Sequence, residues 1–198
     1  MTRAALRVIK LSGSLLGWPE LGRRFSTWLD SQPDGRNVLI VGGGPLVEAL
    51  RELDRSHALG PEASHWLSVG AMKLTAAVMA QILPAFRPVS CLAELGLAGG
   101  GLDILDVESL LREEEGGPGA LPCSWDVTSD SIAAHVARLI SASELVLLKS
   151  ALPEQPFNPL ALAKSGYLDA YFPRASAGLA VRCVNLRNAH FAELRIED

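Results

Sequence analysis

The sequence predicts an α/β fold built on a parallel sheet, and three observations carry that prediction. An apolar run from Leu6 to Leu11 ends in Ser12-Gly13-Ser14 and leads into an amphipathic stretch. The same order recurs at Val38 to Val41, Gly42-Gly43-Gly44 and the segment after Pro45. A third strand-like run, Glu144 to Leu148, follows another amphipathic stretch and ends at Lys149. Successive strand–turn–helix units favour parallel strands, because each helix carries the chain back across the sheet.

The elements follow in order. Leu6 to Leu11, with Val8 and Ile9, suits a buried strand that places Lys10 at its end. Pro19 opens a helix with Leu21, Phe25, Trp28 and Leu29 on one face, and Gln32-Pro33-Asp34-Gly35 breaks it. Pro45 is an acceptable first residue for the next helix, which carries Leu46, Ala49, Leu50 and Leu53. Glu62 to Leu83 reads as a third helix through Trp66, Val69, Leu74, Val78 and Ile82, with Gly70 in its middle and Pro84 as its stop. Between Cys91 and Pro122 the pattern is weakest: a Gly99-Gly100-Gly101 turn, a strand at Leu102 to Val107, and a solvated helix end at Glu113-Glu114-Glu115. A helix after Thr128-Ser129 carries Ile132, Val136, Leu139 and Ile140. Pro153, Pro156 and Pro159 mark a loop, Tyr167 to Phe172 a short helix, and Ala180 to Asn185 a last strand.

The chain has 198 residues, of which 48% are hydrophobic, enough for one core and one domain over 1–198. Charged residues make up 20% and the formal net charge is −4, so no basic surface advertises nucleic acid or anionic lipid. A small anionic substrate is the expected partner. Cys91, Cys123 and Cys183 lack the paired spacing of zinc sites or redox dithiols and read as reduced thiols of a cytoplasmic protein. No apolar run spans a bilayer and no secretory signal pattern is present, so neither membrane nor export is expected. The four histidines lack zinc spacing, and the four tryptophans read as core or interface, with Trp125 nearest the site.

In an open parallel sheet ligands bind beyond the carboxyl ends of the strands, where the turns at Gly13, Gly42 and Lys149 emerge. Glycine lets backbone N–H groups approach phosphate closely, helped by the positive end of the following helix. Neither turn has the GxxxxGK[ST] pattern, and Val47 stands where the dinucleotide fingerprint needs its third glycine. Phosphoryl transfer needs alignment and neutralised equatorial oxygens, for which Lys10 and Lys149 are suitable cations. Two facing lysines repel, so a carboxylate at a helix start between them, Asp130, would orient both. Plainer roles stand beside these: Lys10 ending an edge strand, Gly42 to Gly44 making a tight turn, Asp130 capping its helix, and Arg51 and Arg55 in solvent.

Val8-Ile9-Lys10-Leu11-Ser12-Gly13-Ser14, Val41-Gly42-Gly43-Gly44 and Thr128-Ser129-Asp130-Ser131-Ile132-Ala133-Ala134 resemble, in order and separation, the amino acid kinase family over nearly the whole chain. The resemblance implies a three-layer αβα sandwich with a central, mainly parallel sheet. It implies Lys10, Asp130 and Lys149 as catalytic residues, Gly13, Ser14 and Ser150 at the ATP phosphates, and Gly42, Gly43 and Gly44 at the acceptor, where Arg51 is a further candidate because a guanidinium suits phosphate or carboxylate geometry. Mg²⁺ is expected through the ATP phosphates rather than on protein ligands, and the assembly is expected to be at least a homodimer. The chain departs from the family pattern at Ser12, where a first glycine is common, and at Ser150-Ala151-Leu152-Pro153, where many members carry an Asp-x-Asp-Gly turn.

Within the family, Arg51-Glu52-Leu53-Asp54, Ala63-Ser64-His65-Trp66 with Ala71-Met72, and Leu147-Leu148-Lys149-Ser150 look most like kinases of methanofuran-type cofactor biosynthesis. Those enzymes phosphorylate an aminomethylfuran-methanol phosphate to its diphosphate. Two alternatives stay open: a carboxylate kinase of the glutamate or acetylglutamate type, and a non-catalytic nucleotide- or oxoanion-binding protein on the same scaffold.

Overall fold

The computed structural model describes residues 5–95, 100–153 and 158–196. Its centre is a seven-stranded sheet of β1 (Ala5–Leu11), β2 (Gly35–Val41), β3 (Arg87–Val89), β4 (Gly101–Leu105), β5 (Glu144–Lys149), β6 (Val181–Asn185) and β7 (Glu193–Ile196). The strand order is β3-β4-β2-β1-β5-β6-β7, all parallel except the β6–β7 pair. Seven helices connect them: α1 (Leu21–Asp30), α2 (Pro45–His57), α3 (Pro61–Ile82), α4 (Val107–Glu114), α5 (Ser129–Leu139), α6 (Pro159–Lys164) and α7 (Phe172–Ala175).

Side chains alternate across each strand, so the pleat sorts them into two cores. Val8, Val38, Ile40, Leu145 and Leu147 pack under α4, α5, α6 and α7. Ile9, Leu11, Leu39, Val41, Val146 and Leu148 pack against α1. Helix α3 serves both, giving Val69 and Met72 to the first core and Ala76 and Met79 to the second. The result is the αβα sandwich with a mainly parallel sheet. Helix α2 has no buried residue and packs against α3 rather than on the sheet.

Several boundaries differ from the sequence reading. Val107 opens α4 instead of ending a strand, because Asp106 caps the helix by accepting from the Glu108 N–H at 3.0 Å. Pro159 starts α6 rather than prolonging a loop, with Asn158 accepting from the Ala161 N–H at 2.9 Å. The short helix expected at Tyr167 to Phe172 begins only at Phe172, and the residues before it turn toward α5. The first long helix begins at Leu21 rather than Pro19. Strands β3 and β7 had no counterpart in the sequence reading. Both are short edge strands, and Pro88 is tolerated in β3 because an edge leaves one side of the ladder unpaired. Gly99 and Pro156 lie outside the described residues.

Candidate active site

Lys10 shares its face of β1 with Val8, and Lys149 shares its face of β5 with Leu147, so both point toward α5. The register pairs Lys10 with Leu147 and places Lys149 one pleat repeat further along the same face. Ala133, Ala134 and Ala137 are buried small residues that let α5 lie close on β1 and β5. That approach brings Asp130, the second residue of α5, between the two lysines.

Asp130 Oδ2 accepts from Lys149 Nζ at 2.7 Å, and Lys10 Nζ lies 2.7 Å from Asp130 Oδ1. The second contact is an ion pair without hydrogen-bond alignment; the Lys10 ammonium donates to Ser12 Oγ at 3.1 Å. Lys149 also donates to the Tyr167 carbonyl at 3.1 Å. All three charged residues are buried, with 4%, 4% and 9% of Lys10, Asp130 and Lys149 exposed. Burial alone would raise the Asp130 pKa, but the charges of Lys10 and Lys149 win and hold it at about 2. Burial lowers the Lys10 pKa, opposed by Asp130 and reinforced by Lys149.

Asp169, a residue that no sequence motif marks, supports this arrangement. Its carboxylate accepts from the Thr128 N–H at 3.1 Å, the Thr128 hydroxyl at 2.8 Å, the Ser131 N–H at 2.9 Å and the Ser131 hydroxyl. It therefore caps α5 from a distant loop, where Thr128 itself makes no side-chain cap. Burial raises the Asp169 pKa, and the Asp130 charge adds to that.

The glycine turns touch each other. A Cβ on Gly13 would sit 2.1 Å from Gly44 N, so a side chain there would force the turns apart. Gly44 has φ 56° and ψ −139°, a conformation open in practice to glycine. A Cβ on Gly42 would meet Ser129 Oγ at 2.9 Å. These glycines thus have steric reasons to be glycine before any ligand is considered.

Above the lysines opens a cavity of about 770 Å³. Of the residues singled out in the sequence, Lys10, Lys149, Gly13, Ser14, Gly43, Gly44 and Arg51 line it. Asp130 lies beneath the lysines, and Gly42 and Ser150 are not on the lining. His65, Ser68 and Trp125 are on it and were not singled out as site residues.

The amino acid kinase family model matches residues 5–151. The chain belongs to the amino acid kinase family. As a member it is a kinase, a phosphotransferase by class, and kinases of this family use ATP, generally with Mg²⁺. No curated protein sequence matches it. Among solved structures it is similar to a UMP kinase from Bacillus anthracis at 13% identity and TM-score 0.64, covering 98% of this chain and 100% of that one. A uridylate kinase from Archaeoglobus fulgidus matches at 16% identity and TM-score 0.61, over 89% of this chain and 88% of the other. An aspartate kinase from Synechocystis matches at 12% identity and TM-score 0.61, over 98% of this chain but 40% of its own. At these identities the likeness is one of fold. No helix among the described residues is long and apolar enough to cross a membrane.

Proposed function

We propose that this kinase moves the γ-phosphoryl group of ATP onto a small phosphate monoester, an aminomethylfuran-methanol phosphate, to give the diphosphate and ADP. The observation that carries this reading is the buried Lys10–Asp130–Lys149 cluster at the floor of a cavity walled by two glycine turns. An oxygen of the acceptor phosphate attacks the γ-phosphorus while its bond to the β–γ bridging oxygen breaks and leaves with ADP. Lys10 and Lys149 neutralise the equatorial oxygens, and Asp130 holds both ammonium groups in place from below. Gly13 and Ser14 serve the ATP phosphates, and Gly43, Gly44 and Arg51 the acceptor. Gly42 keeps its turn close to Ser129, and Ser150, next to Lys149, serves the ATP phosphates.

Among the described residues no group of three or more His, Cys, Asp or Glu is placed to hold a metal ion. Mg²⁺ carried on the phosphate oxygens of ATP would supply further charge neutralisation. The acceptor class is supported by the two uridylate kinase neighbours, whose named acceptor is itself a phosphate monoester and whose chains are matched over most of their length. We place the protein in the cytoplasm, which suits its three free thiols. We also expect a homodimer, since α3 leaves Leu67, Leu74, Val78 and Ile82 exposed along one stripe; sedimentation should show Leu74→Glu as a monomer.

The deciding assay is ADP release across furan phosphates, nucleoside monophosphates, isopentenyl phosphate and acidic amino acids. Turnover confined to phosphate monoesters is expected. A product trapped by hydroxylamine would show a carboxylate acceptor and overturn the reading.

A further inference from the structure

One wall of the cavity is built around Trp125. Its indole N–H donates to Asp54 Oδ2 at 2.8 Å, and the Arg51 guanidinium carbon lies 5.0 Å from its ring centroid. Arg51 and Asp54 are one turn apart on α2, so the two ends of one helical turn grip one indole. The Trp125 hydrogen bond holds the Asp54 carboxyl below its ordinary pKa.

The residues around Trp125 are equally held. The Tyr171 N–H donates to the Asp126 carbonyl at 3.0 Å, and His65 of α3 shares the cavity lining with Ser124. The Trp125 segment is therefore tied to α2 and to the chain before α7. Val69, Met72 and Ile132 continue the same lining as an apolar strip leading toward the lysines. The Arg51 side chain is 41% exposed and its guanidinium also lies 3.8 Å from Glu48, so it stands at the open side of this wall.

A rigid indole beside a planar guanidinium suits a flat π-system, which packs on both with little ordering cost. A cationic floor that takes phosphate and an apolar, planar wall reached along one strip define a two-part ligand. We infer that Trp125 is the specificity-determining residue for the phosphoryl acceptor, discriminating by stacking on its flat ring. Asp54 is the positioning residue that keeps the indole in register. This inference rests on the kinase reading for its catalytic meaning, while its binding content stands apart from it.

The test compares benzyl phosphate with cyclohexylmethyl phosphate, equal in size but flat and puckered respectively, by calorimetric titration and by KM. The wild-type protein should prefer the flat ring about tenfold, a gap of the order that stacking on an aromatic side chain supplies. Trp125→Phe should keep most of that preference, and Trp125→Leu should reduce it to near unity, with ATP affinity and melting temperature unchanged. Asp54→Ala should lose part of the preference and Asp54→Asn should restore it, because an amide oxygen still accepts the indole N–H. Equal affinities in the wild type, or a preference surviving in Trp125→Leu, would overturn the inference. A flat-ring preference without ADP release from any acceptor would instead sink the kinase reading and leave the ring site standing.

Discussion

The two ends of the sheet treat buried charge in opposite ways. At the amino ends of the strands Arg7 meets Glu144 at 3.2 Å and Asn37 at 2.7 Å, while Arg182 meets Glu144 at 3.0 Å and Glu193 at 2.6 Å. Arg36 and Arg87 share Asp103 there as well. At the carboxyl ends Lys10 and Lys149 share the single carboxylate of Asp130, and the Asp169 carboxylate is occupied with the start of α5. A buried charge is tolerated when it is paired and hydrogen-bonded. The amino end spreads its guanidinium groups over three carboxylates and the neutral acceptors Asn37 and Gln32, whereas at the carboxyl end the two ammonium groups have one carboxylate between them, and an anion from outside would add a second.

Removing charge at the two ends should therefore give crossed outcomes. Lys10→Ala should cut turnover by about 10³-fold or more, the scale of losing a cation from a phosphoryl-transfer site. Its melting temperature should hold or rise, since a desolvated ammonium has gone and Lys149 still satisfies Asp130. Asp130→Ala should lose both activity and stability, by on the order of 3–5 kcal/mol, because two buried cations lose their carboxylate. Added inorganic phosphate should restore part of that stability in thermal unfolding. Retained turnover in Lys10→Ala would break the contrast at its centre.

At the other end Glu144→Ala should cost about 2–3 kcal/mol in denaturant unfolding, less than a fully buried pair because Glu144 is only half-buried. Turnover per folded molecule should not change. A comparable loss of kcat would mean that the amino end is coupled to the site rather than serving the fold alone.

Acidity separates the ends less sharply and alkalinity more. The Asp130 pKa is held below its ordinary 3.8, at about 2, so the stability it contributes is complete above pH ~4 and lost as pH falls toward ~2. The Glu144 pKa is also lowered, with the Arg182 hydrogen bond and charge overcoming burial, so its contribution has the same sign. Lys10 moves the other way on the alkaline side: its pKa is lowered by burial, and the ammonium is lost at a lower pH than an ordinary lysine. A bound polyanion favours the charged form, so ATP binding at alkaline pH should take up protons. Calorimetry in buffers of different ionisation enthalpy should show this uptake in the wild type and lose it in Lys10→Ala.

The floor of the site was legible in the sequence because strand ends and glycine turns are local signals, and a parallel sheet gathers strand ends on one rim. Lys10, Gly13, Gly44 and Lys149 each announced themselves within a few residues. Asp169 did not, because it caps a helix 38 residues earlier and nothing in Tyr167-Leu168-Asp169 encodes that distance. Trp125 was placed near the site, but its partner was not legible, since Asp54 lies 71 residues before it. Strand β3 was hidden by Pro88, and α6 by reading Pro159 as a breaker rather than as a first helical residue.

The smallest expected effect divides glycines within one turn. A Cβ on Gly13 collides with the backbone of Gly44, whereas one on Gly17 meets nothing within 4 Å. Gly17→Ala should therefore stabilise the protein by roughly 0.5 kcal/mol, by restricting the unfolded chain without disturbing the folded one. It should leave kcat and the affinity for ATP unchanged. If thermal unfolding shows the gain but turnover falls, the Gly13–Gly17 turn has to move during the reaction, and the contact between Gly13 and Gly44 is one state of a working part rather than a fixed wall.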